Sequence, residues 1–360
     1  MNKPAKYIVI KNDIKKAIEK EDYVLGTKIP SEAELRAKYQ VSRHTIRQAI
    51  AELVNDGYLL KQQGSGTFVS DQYKTQIKPN GKKKIGVITT YLSDYIFPSI
   101  IRGIEEELSK HDYSLMLSST RNNVNNERSN LENMIAQNVD GLIVEPTKSN
   151  LMNPNLNYYL SLAEKHTPLV MLNAGYDELD LPVIALDDIK AGMLATNHLI
   201  ELGHTKIGMI IKADDLQGKN RLKGYIKALQ QAGLSFNSEH ILRYDTESKP
   251  FISDKIRPLL NSDDIPTAFV AYNDEIAVTL IHDIHAAGKS CPDDFSIVSH
   301  DNSFYSTLLP TVKLTSVNHP KEELGRAAAK WIVDAVEGKK SNKSIIFEPE
   351  LVVRNSTKHL

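Results

Sequence analysis

Apolar residues recur at helical spacing through residues 43–53: Ile46, Ala49, Ile50 and Leu53 share one face, and Arg43, His44, Arg47 and Gln48 collect on the other. Ser42 stands where a side-chain oxygen caps the first turn, and Gly57 can take the left-handed conformation that ends the helix. The helix therefore presents hydrogen-bond donors, and no carboxylate, near its N-terminus. Upstream, Ser31 and Glu34 form a capping box that opens a short helix to about residue 39, separated from the next by a tight turn. Downstream, residues 58–69 read as two strands closing on Gly64, Ser65 and Gly66. A further helix over residues 5–20 turns Ile10, Ile14, Ala17 and Ile18 inward, with Lys6 near its start, where unbonded backbone N–H groups favour a phosphate.

From Ile85 the period changes. Short apolar runs at 85–90, 114–118, 141–145, 169–173, 207–211, 267–271 and 295–299 are separated by helical segments at 98–110, 127–137, 189–202, 218–232 and 274–287. Strands spaced by crossover helices predict parallel, doubly wound sheets, whose ligands sit at the carboxyl ends of the strands. Those ends carry Tyr91, Ser93, Asp94, Tyr95 and Phe97, then Glu145, Asn173, Asn273 and Asp301. A sugar needs donors and acceptors for adjacent hydroxyls, an arginine to span two oxygens and an aromatic face for its C–H surface, and all three types are present. The competing explanation is that Asn and Asp at these ends only cap helices; Asn273 can do both.

Two short helices joined by a tight turn make a helix-turn-helix. Donors on the second helix suit a DNA major groove, where guanine offers paired acceptors to an arginine fork, and a hairpin tip almost without side chains can enter a minor groove. Arginine on a solvated helix face is common, so the neighbouring elements carry this reading. Residues 5–69 resemble the winged helix of the GntR family of bacterial transcription factors. The matching motifs are Pro30-Ser-Glu, Val41-Ser-Arg-His-Thr-Ile-Arg-Gln-Ala-Ile, Gly57-Tyr-Leu and Gln63-Gly-Ser-Gly-Thr-Phe-Val69. The DNA contacts expected are Lys6, Ser31, Glu32, Ser42, Arg43, His44, Thr45 and Arg47, with Gln63, Gly64, Ser65 and Gly66 on the wing. Where many members carry Arg after Pro-Ser-Glu, this chain has Ala33, so one family contact is missing.

The body resembles the LacI/GalR effector-binding domain, akin to periplasmic sugar-binding proteins. The resemblance rests on Phe97-Pro-Ser-Ile-Ile-Arg-Gly, Val139-Asp-Gly-Leu-Ile-Val, Arg221-Leu-Lys-Gly-Tyr, Tyr272-Asn-Asp-Glu and His319-Pro. It implies two Rossmann-like lobes, crossed three times by the chain and closing on a small molecule. It also implies that Arg221, Asn273, Asp301 and the 91–97 loop line the pocket, with His319 facing it from the last crossover. Most members read Gly-Phe-Asp where this chain has Ser299-His300-Asp301. A GntR-type head on a LacI-type body, with Thr89-Thr-Tyr-Leu-Ser-Asp-Tyr and Ile143-Val-Glu-Pro-Thr-Lys-Ser, resembles the arabinose-responsive repressors of Gram-positive bacteria. That resemblance implies L-arabinose as inducer, whereas composition and spacing reach only a small polyhydroxylated ligand.

The expected fold is thus an α+β winged helix-turn-helix head at 1–70, a linker at 71–84 and a two-lobed α/β periplasmic-binding-protein-like body at 85–360 with parallel, doubly wound sheets. The chain has 360 residues, 41% hydrophobic and 25% charged, ordinary for a globular protein of two or three domains. Its net charge of −1 conceals an asymmetry: residues 1–84 carry +8 and the remainder −9, as expected for a nucleic-acid module on a regulatory body. The 71–84 stretch is polar, holds Pro79 and Gly81 and ends in lysines. A single cysteine, Cys291, excludes an internal disulfide. Neither a signal peptide nor a run of 18 apolar residues is visible, so a cytoplasmic protein with no membrane partner is expected.

Two functions compete. The first is a repressor of sugar-utilisation genes, a homodimer on a near-palindromic operator that a monosaccharide effector releases. The second is a sugar-converting enzyme with the same two-lobed body. No nucleophile motif, phosphate loop or zinc signature is visible, and His282 and His285 beside Cys291 match no metal spacing, so no catalytic residue, metal or cofactor is expected. The LacI/GalR resemblance implies dimer contacts on the first body helix, at 99–107, and the apolar face of a helix at 320–336 is expected to pack within its lobe.

Overall fold

The computed structural model describes residues 6–20, 22–62, 65–70, 82–339 and 343–360. Contacts divide the chain into two compact units, Met1–Lys82 and Lys83–Leu360. The wing residues Gln63 and Gly64, and 71–81 of the expected linker, lie outside the described residues.

The head contains α1 (Lys6–Glu19), α2 (Glu32–Tyr39), α3 (Arg43–Asn55), β1 (Leu59–Gln62) and β2 (Gly66–Val69). The capping box forms as expected: the Glu34 amide donates to Ser31 Oγ at 3.3 Å, and the Ser31 amide donates to Glu34 Oε2 at 2.7 Å. Gln40 takes the left-handed conformation, φ 49°, that ends α2. Ser42 then caps α3. Ile10, Ile14, Leu35, Ile46, Ile50 and Leu53 close a core of the head's own. β1 and β2 pair antiparallel from Leu59 opposite Val69 to Gln62 opposite Gly66.

The body begins with β3 (Lys84–Thr89), α4 (Phe97–Lys110), β4 (Ser114–Ser119), α5 (Val124–Ala136), β5 (Gly141–Val144), α6 (Leu156–Glu164), β6 (Leu169–Leu172) and β7 (Val183–Leu186). It continues with α7 (Asp188–Glu201), β8 (Ile207–Lys212), α8 (Leu216–Gln231), β9 (Ile241–Tyr244), α9 (Ser253–Leu260), β10 (Ala268–Ala271), α10 (Asp274–Ala286), β11 (Ser296–Asp301) and β12 (Thr315–Asn318). The last elements are α11 (Lys321–Val336), β13 (Ile345–Phe347) and β14 (Glu350–Val352). One sheet runs β13-β7-β6-β5-β3-β4, all parallel; the other runs β14-β12-β11-β10-β8-β9, parallel except for β14. The chain passes between lobes three times, after β7, after β12 and between β13 and β14. β5, β6 and β10 are buried at every position because helices cover both sheet faces, which is why they appear in the sequence as continuous apolar runs.

The differences from expectation are local. β7, β9, β12, β13, β14, α6 and α9 have no counterpart in the sequence pattern, and β3 starts at Lys84, inside the expected linker, where Lys84 pairs with Ser114. As expected, α11 buries Leu324, Ala328, Trp331 and Ile332 within its own lobe. It crosses α4 so closely that a Cβ on Gly103 would lie 2.2 Å from the Glu322 carbonyl oxygen. α7 and α8 repeat the arrangement in the other lobe: a Cβ on Gly192 would lie 2.2 Å from Arg221 O, and one on Gly224 2.1 Å from Ile189 O.

Candidate functional site

The two sheets of the body present their carboxyl ends to a single cleft of about 540 Å³. β3 delivers Thr90 and Tyr91, β5 Glu145, β6 Asn173, β8 Lys212, β9 Tyr244, β10 Tyr272 and Asn273, β11 Asp301 and β12 His319. All eleven residues nominated from the sequence line it: Tyr91, Ser93, Asp94, Tyr95, Phe97, Glu145, Asn173, Arg221, Asn273, Asp301 and His319. Three of them, Tyr95 (φ 60°), Asn173 (φ 64°) and Asp301 (φ 91°), hold left-handed backbone, a strain that surrounding contacts must sustain. Asn273 caps α10, accepting from the Ile276 amide at 3.0 Å, while it lines the cleft.

At the centre lies a buried ionic array. Arg221 Nε donates to Asp188 Oδ1 at 2.8 Å, Nη2 to Asp301 Oδ1 at 3.2 Å and Nη1 to the Tyr272 carbonyl at 2.6 Å. Its guanidinium also lies 5.0 Å from the centre of the Tyr272 ring. Tyr95, on the opposite lobe, donates to Asp301 Oδ2 at 2.7 Å, so both carboxylate oxygens of Asp301 are engaged. Burial alone would push Asp301 up, yet the Arg221 charge, then His319, hold it below its usual range. Asp188 goes the other way, pushed up to about 6 by burial against the opposing pull of Arg221. The other two cations at the cleft are likewise partnered: Lys212 by Asp214 and Asp215, at 2.7 and 3.2 Å, and Lys249 by Glu275 at 2.6 Å. Aromatic rings stand on both lobes, with Tyr91 5.8 Å from Phe97 on one and Tyr244 6.0 Å from Tyr272 on the other.

On the head, Arg43, His44 and Arg47 are exposed along the start of α3, and Ser42, Thr45, Ser31 and Glu32 gather at the same end. Lys6 is exposed at the first position of α1, and Ser65 is exposed beside Gly66 on the wing. One expectation needs correction. α3 carries no carboxylate near its own N-terminus, but the turn brings Glu32 of α2 against it, with Oε2 3.3 Å from Arg43 Nε and Oε1 3.8 Å from Arg47 Nε. Sequence spacing missed this because Glu32 and Arg43 are eleven positions apart and only the turn geometry makes them neighbours.

Residues 6–69 match the model of the gntR family of bacterial regulatory proteins, and residues 196–357 match that of the periplasmic binding protein-like domain. The chain is 46% identical over 363 residues to the arabinose metabolism transcriptional repressor of Halalkalibacterium halodurans, an alignment that covers 98% of this chain and 96% of that one. The arabinose metabolism transcriptional repressor of Geobacillus stearothermophilus is also 46% identical, over 99% of this chain and 98% of that one. The chain belongs to the family of arabinose metabolism transcriptional repressors. Among solved structures, a LacI family transcriptional regulator from Enterococcus faecium with bound ribose superposes with a TM-score of 0.66 at 27% identity, covering 77% of this chain and all of that one.

Members of this family are DNA-binding transcriptional repressors, and so the enzyme alternative is set aside. No helix among the described residues is long and apolar enough to cross a membrane. Asp188, Asp215, Tyr244 and Tyr272 line the cleft as well, beyond the residues expected from the sequence. Tyr272 was within reach, since it precedes Asn273 at an identified strand end; Tyr244 was not, because the four residues of β9 form neither an alternating nor a continuous apolar run.

The buried histidines give the body a pH dependence. Burial pushes His319 down from 6.5 to about 4 and His300 down to about 3, so both stand neutral in the fold. A depressed folded pKa contributes stability that is present above the unfolded value and lost as pH falls through the folded one. Asp188 and Asp274, both pushed up to about 6, have the opposite sign: their contribution is lost as pH rises from 3.8 through about 6. Replacing His319 by Gln removes one member of the first group alone. Urea unfolding between pH 6.5 and 4 is therefore expected to show a steeper loss of stability in the wild type than in His319→Gln.

Proposed function

We propose that this repressor binds operator DNA as a homodimer in the cytoplasm, and that a neutral monosaccharide, L-arabinose, enters the cleft and releases it. The observation that carries the ligand class is the state of the cleft's cations: Arg221, Lys212 and Lys249 each already face a carboxylate. A phosphorylated or acidic sugar would find no unpaired cation among the described residues that line the cleft and would meet Glu145, Asp215 and Asp301 instead. A neutral polyol suits such a site, because paired charges still offer oriented donors and acceptors and the rings of Tyr91 and Tyr272 offer apolar faces. The bound ribose in the Enterococcus faecium regulator supports the same class, and the similarity to the two arabinose metabolism repressors supports arabinose within it.

Coupling requires that sugar and DNA prefer different conformations, and it must be reciprocal. Saturating L-arabinose is expected to weaken operator binding about 5- to 150-fold, the usual range for such coupling. Fluorescence anisotropy with labelled operator, run beside calorimetry for L-arabinose, D-ribose, D-xylose and arabinose 5-phosphate, measures both sides. Binding of the phosphate ester but not L-arabinose would refute the ligand class. A monomeric mass with and without DNA would refute the dimer.

For the head, we propose that Arg43, His44 and Arg47 read the major groove and that the wing at Gln63, Gly64, Ser65 and Gly66 enters the minor groove. Lys6, Ser31, Glu32, Ser42 and Thr45 supply backbone contacts or hold the reading residues in place. Arg43→Ala is expected to cost about 1–3 kcal/mol in operator affinity and to relax preference at one base pair. Wild-type affinity in the variant would remove Arg43 from the interface. A loss equal for all sequences, with a flatter salt dependence, would reassign it to phosphate.

A further inference from the structure

His319 enters the cleft from the last passage between lobes, is 5% exposed, and leaves its Nδ1 without a hydrogen-bond partner among the described residues. Its other nitrogen, Nε2, lies 3.2 Å from Asn173 Oδ1. Asn173 in turn donates through Nδ2 to Glu145 Oε1 at 2.8 Å. The opposite oxygen of Glu145 accepts from both the amide and the hydroxyl of Thr90, at 2.8 and 2.6 Å. We propose that Glu145, acting through Asn173, dictates which nitrogen of His319 carries the hydrogen, so that Nδ1 meets the ligand purely as an acceptor for one donated sugar hydroxyl.

The direction of each bond follows from the one before it. The Thr90 amide can only donate, so it requires an oxygen on Glu145. A carboxylate has a second oxygen, which requires the NH2 of Asn173, and that leaves the Asn173 carbonyl facing the histidine. The ring must then donate from Nε2, and a neutral imidazole has one N–H, so Nδ1 keeps a lone pair. Burial, which holds His319 down at about 4, keeps the ring neutral near pH 7. Burial pushes Glu145 up, against the opposing pull of its hydrogen bonds from Thr90 and Asn173; the geometry that fits a carboxylate is that all three contacts, the amide and hydroxyl of Thr90 and the NH2 of Asn173, point donors at it. Both oxygens of Asp301 are already taken by Arg221 and Tyr95, whereas Nδ1 of His319, like Oε1 of Gln217 in the same cleft, has no partner among the described residues. The chain Thr90–Glu145–Asn173–His319 thus positions a specificity-determining acceptor. Glu145 and Asn173 are here positioning residues, and the ligand's identity rests on the sugar reading above, whereas the tautomer does not.

Glu145→Gln reverses the polarity. Its amide oxygen must still face Thr90, so its NH2 now faces Asn173, whose own amide turns over and offers NH2 to Nε2. The hydrogen then moves to Nδ1. Nitrogen NMR of full-length protein labelled on histidine, without sugar at pH 7, reads this directly, with the His319 signals identified by their loss in His319→Gln. The wild type should show an imine-type Nδ1 and a pyrrole-type Nε2, and Glu145→Gln should exchange them. A pyrrole-type Nδ1 in the wild type overturns the proposal even if the variant fails to fold. Calorimetry with L-arabinose and its monofluoro analogues reads the consequence, since fluorine cannot donate. One analogue should bind the wild type roughly tenfold more weakly than L-arabinose, and that penalty should shrink below about threefold in Glu145→Gln. Equal penalties in the two proteins overturn the acceptor role. Failure of L-arabinose itself to bind the wild type would defeat the effector assignment, while the NMR result would still decide the tautomer.

Discussion

Arg221→Ala is expected to give a repressor that binds operator with near wild-type affinity and no longer answers to sugar. Arg221 and Asp301 are buried to 3% and 5% exposure, and Asp188 to 6%, so removing the cation leaves two carboxylates in a dry site without their counter-charge. Breaking a buried pair in this way typically destabilises by about 3–5 kcal/mol. The loss should be largest at neutral pH and smaller near pH 5, because Asp188, already pushed up to about 6, takes up a proton more readily once Arg221 is gone. Sugar affinity should fall at least about thirtyfold, equivalent to about 2 kcal/mol, through loss of donors and of the Tyr95–Asp301 orientation across the lobes. The head has a core of its own, so its fold should survive. Arg221→Lys keeps the charge without the fork and should recover stability more than response. Calorimetry and urea unfolding of both variants provide the check; an alanine variant with the wild-type sugar isotherm would remove Arg221 from the effector site.

Gly224→Val should disable the same site without touching a lining residue. A Cβ at this position would stand 2.1 Å from Ile189 O and 2.7 Å from Met193 N, both backbone atoms of α7, so no side-chain rotation relieves the clash. α7 and α8 would have to move apart, and they carry Asp188 and Arg221, whose separation is 2.8 Å. Overpacking of this kind costs about 1–3 kcal/mol and occasionally more, and the upper end is expected because the obstacle is backbone. Gly103→Val makes the matching clash with Glu322 O, at 2.2 Å, between α4 and α11. It should destabilise the body comparably and leave the Arg221–Asp188 geometry alone. Unfolding midpoints and sugar affinity measured on both variants separate the two effects. Unchanged affinity in a folded Gly224→Val protein would show that the helix crossing does not hold the ion pair.

Periodicity made the head legible because short-range physics dominates there. A capping box needs residues three apart, and a recognition helix shows its apolar stripe within four turns, so Ser31, Glu34, Ser42 and the Ile46–Leu53 face needed nothing from the rest of the chain. The alternation of buried strands and crossover helices made the doubly wound body legible for a similar reason, and the strand ends then named Tyr91, Glu145, Asn173, Asn273 and Asp301. β5, β6 and β10 are about as short as β7, β9 and β13, but the latter stand outside the alternation of apolar runs and crossover helices that the sequence shows, and tertiary pairing makes them strands.

The sequence by itself thus determined which residue types could meet a sugar or a base, because composition at strand ends and on helix faces is a local property. Only the tertiary structure decided how they are partnered. Glu32 reaches Arg43 and Arg47 through a turn, Asp188 reaches Arg221 across a glycine-lined helix crossing, and His319 inherits its tautomer from Thr90 through two intervening side chains. Each of these depends on distances between residues far apart in the chain, and charge pairing and hydrogen-bond direction are set by those distances rather than by the order of the residues.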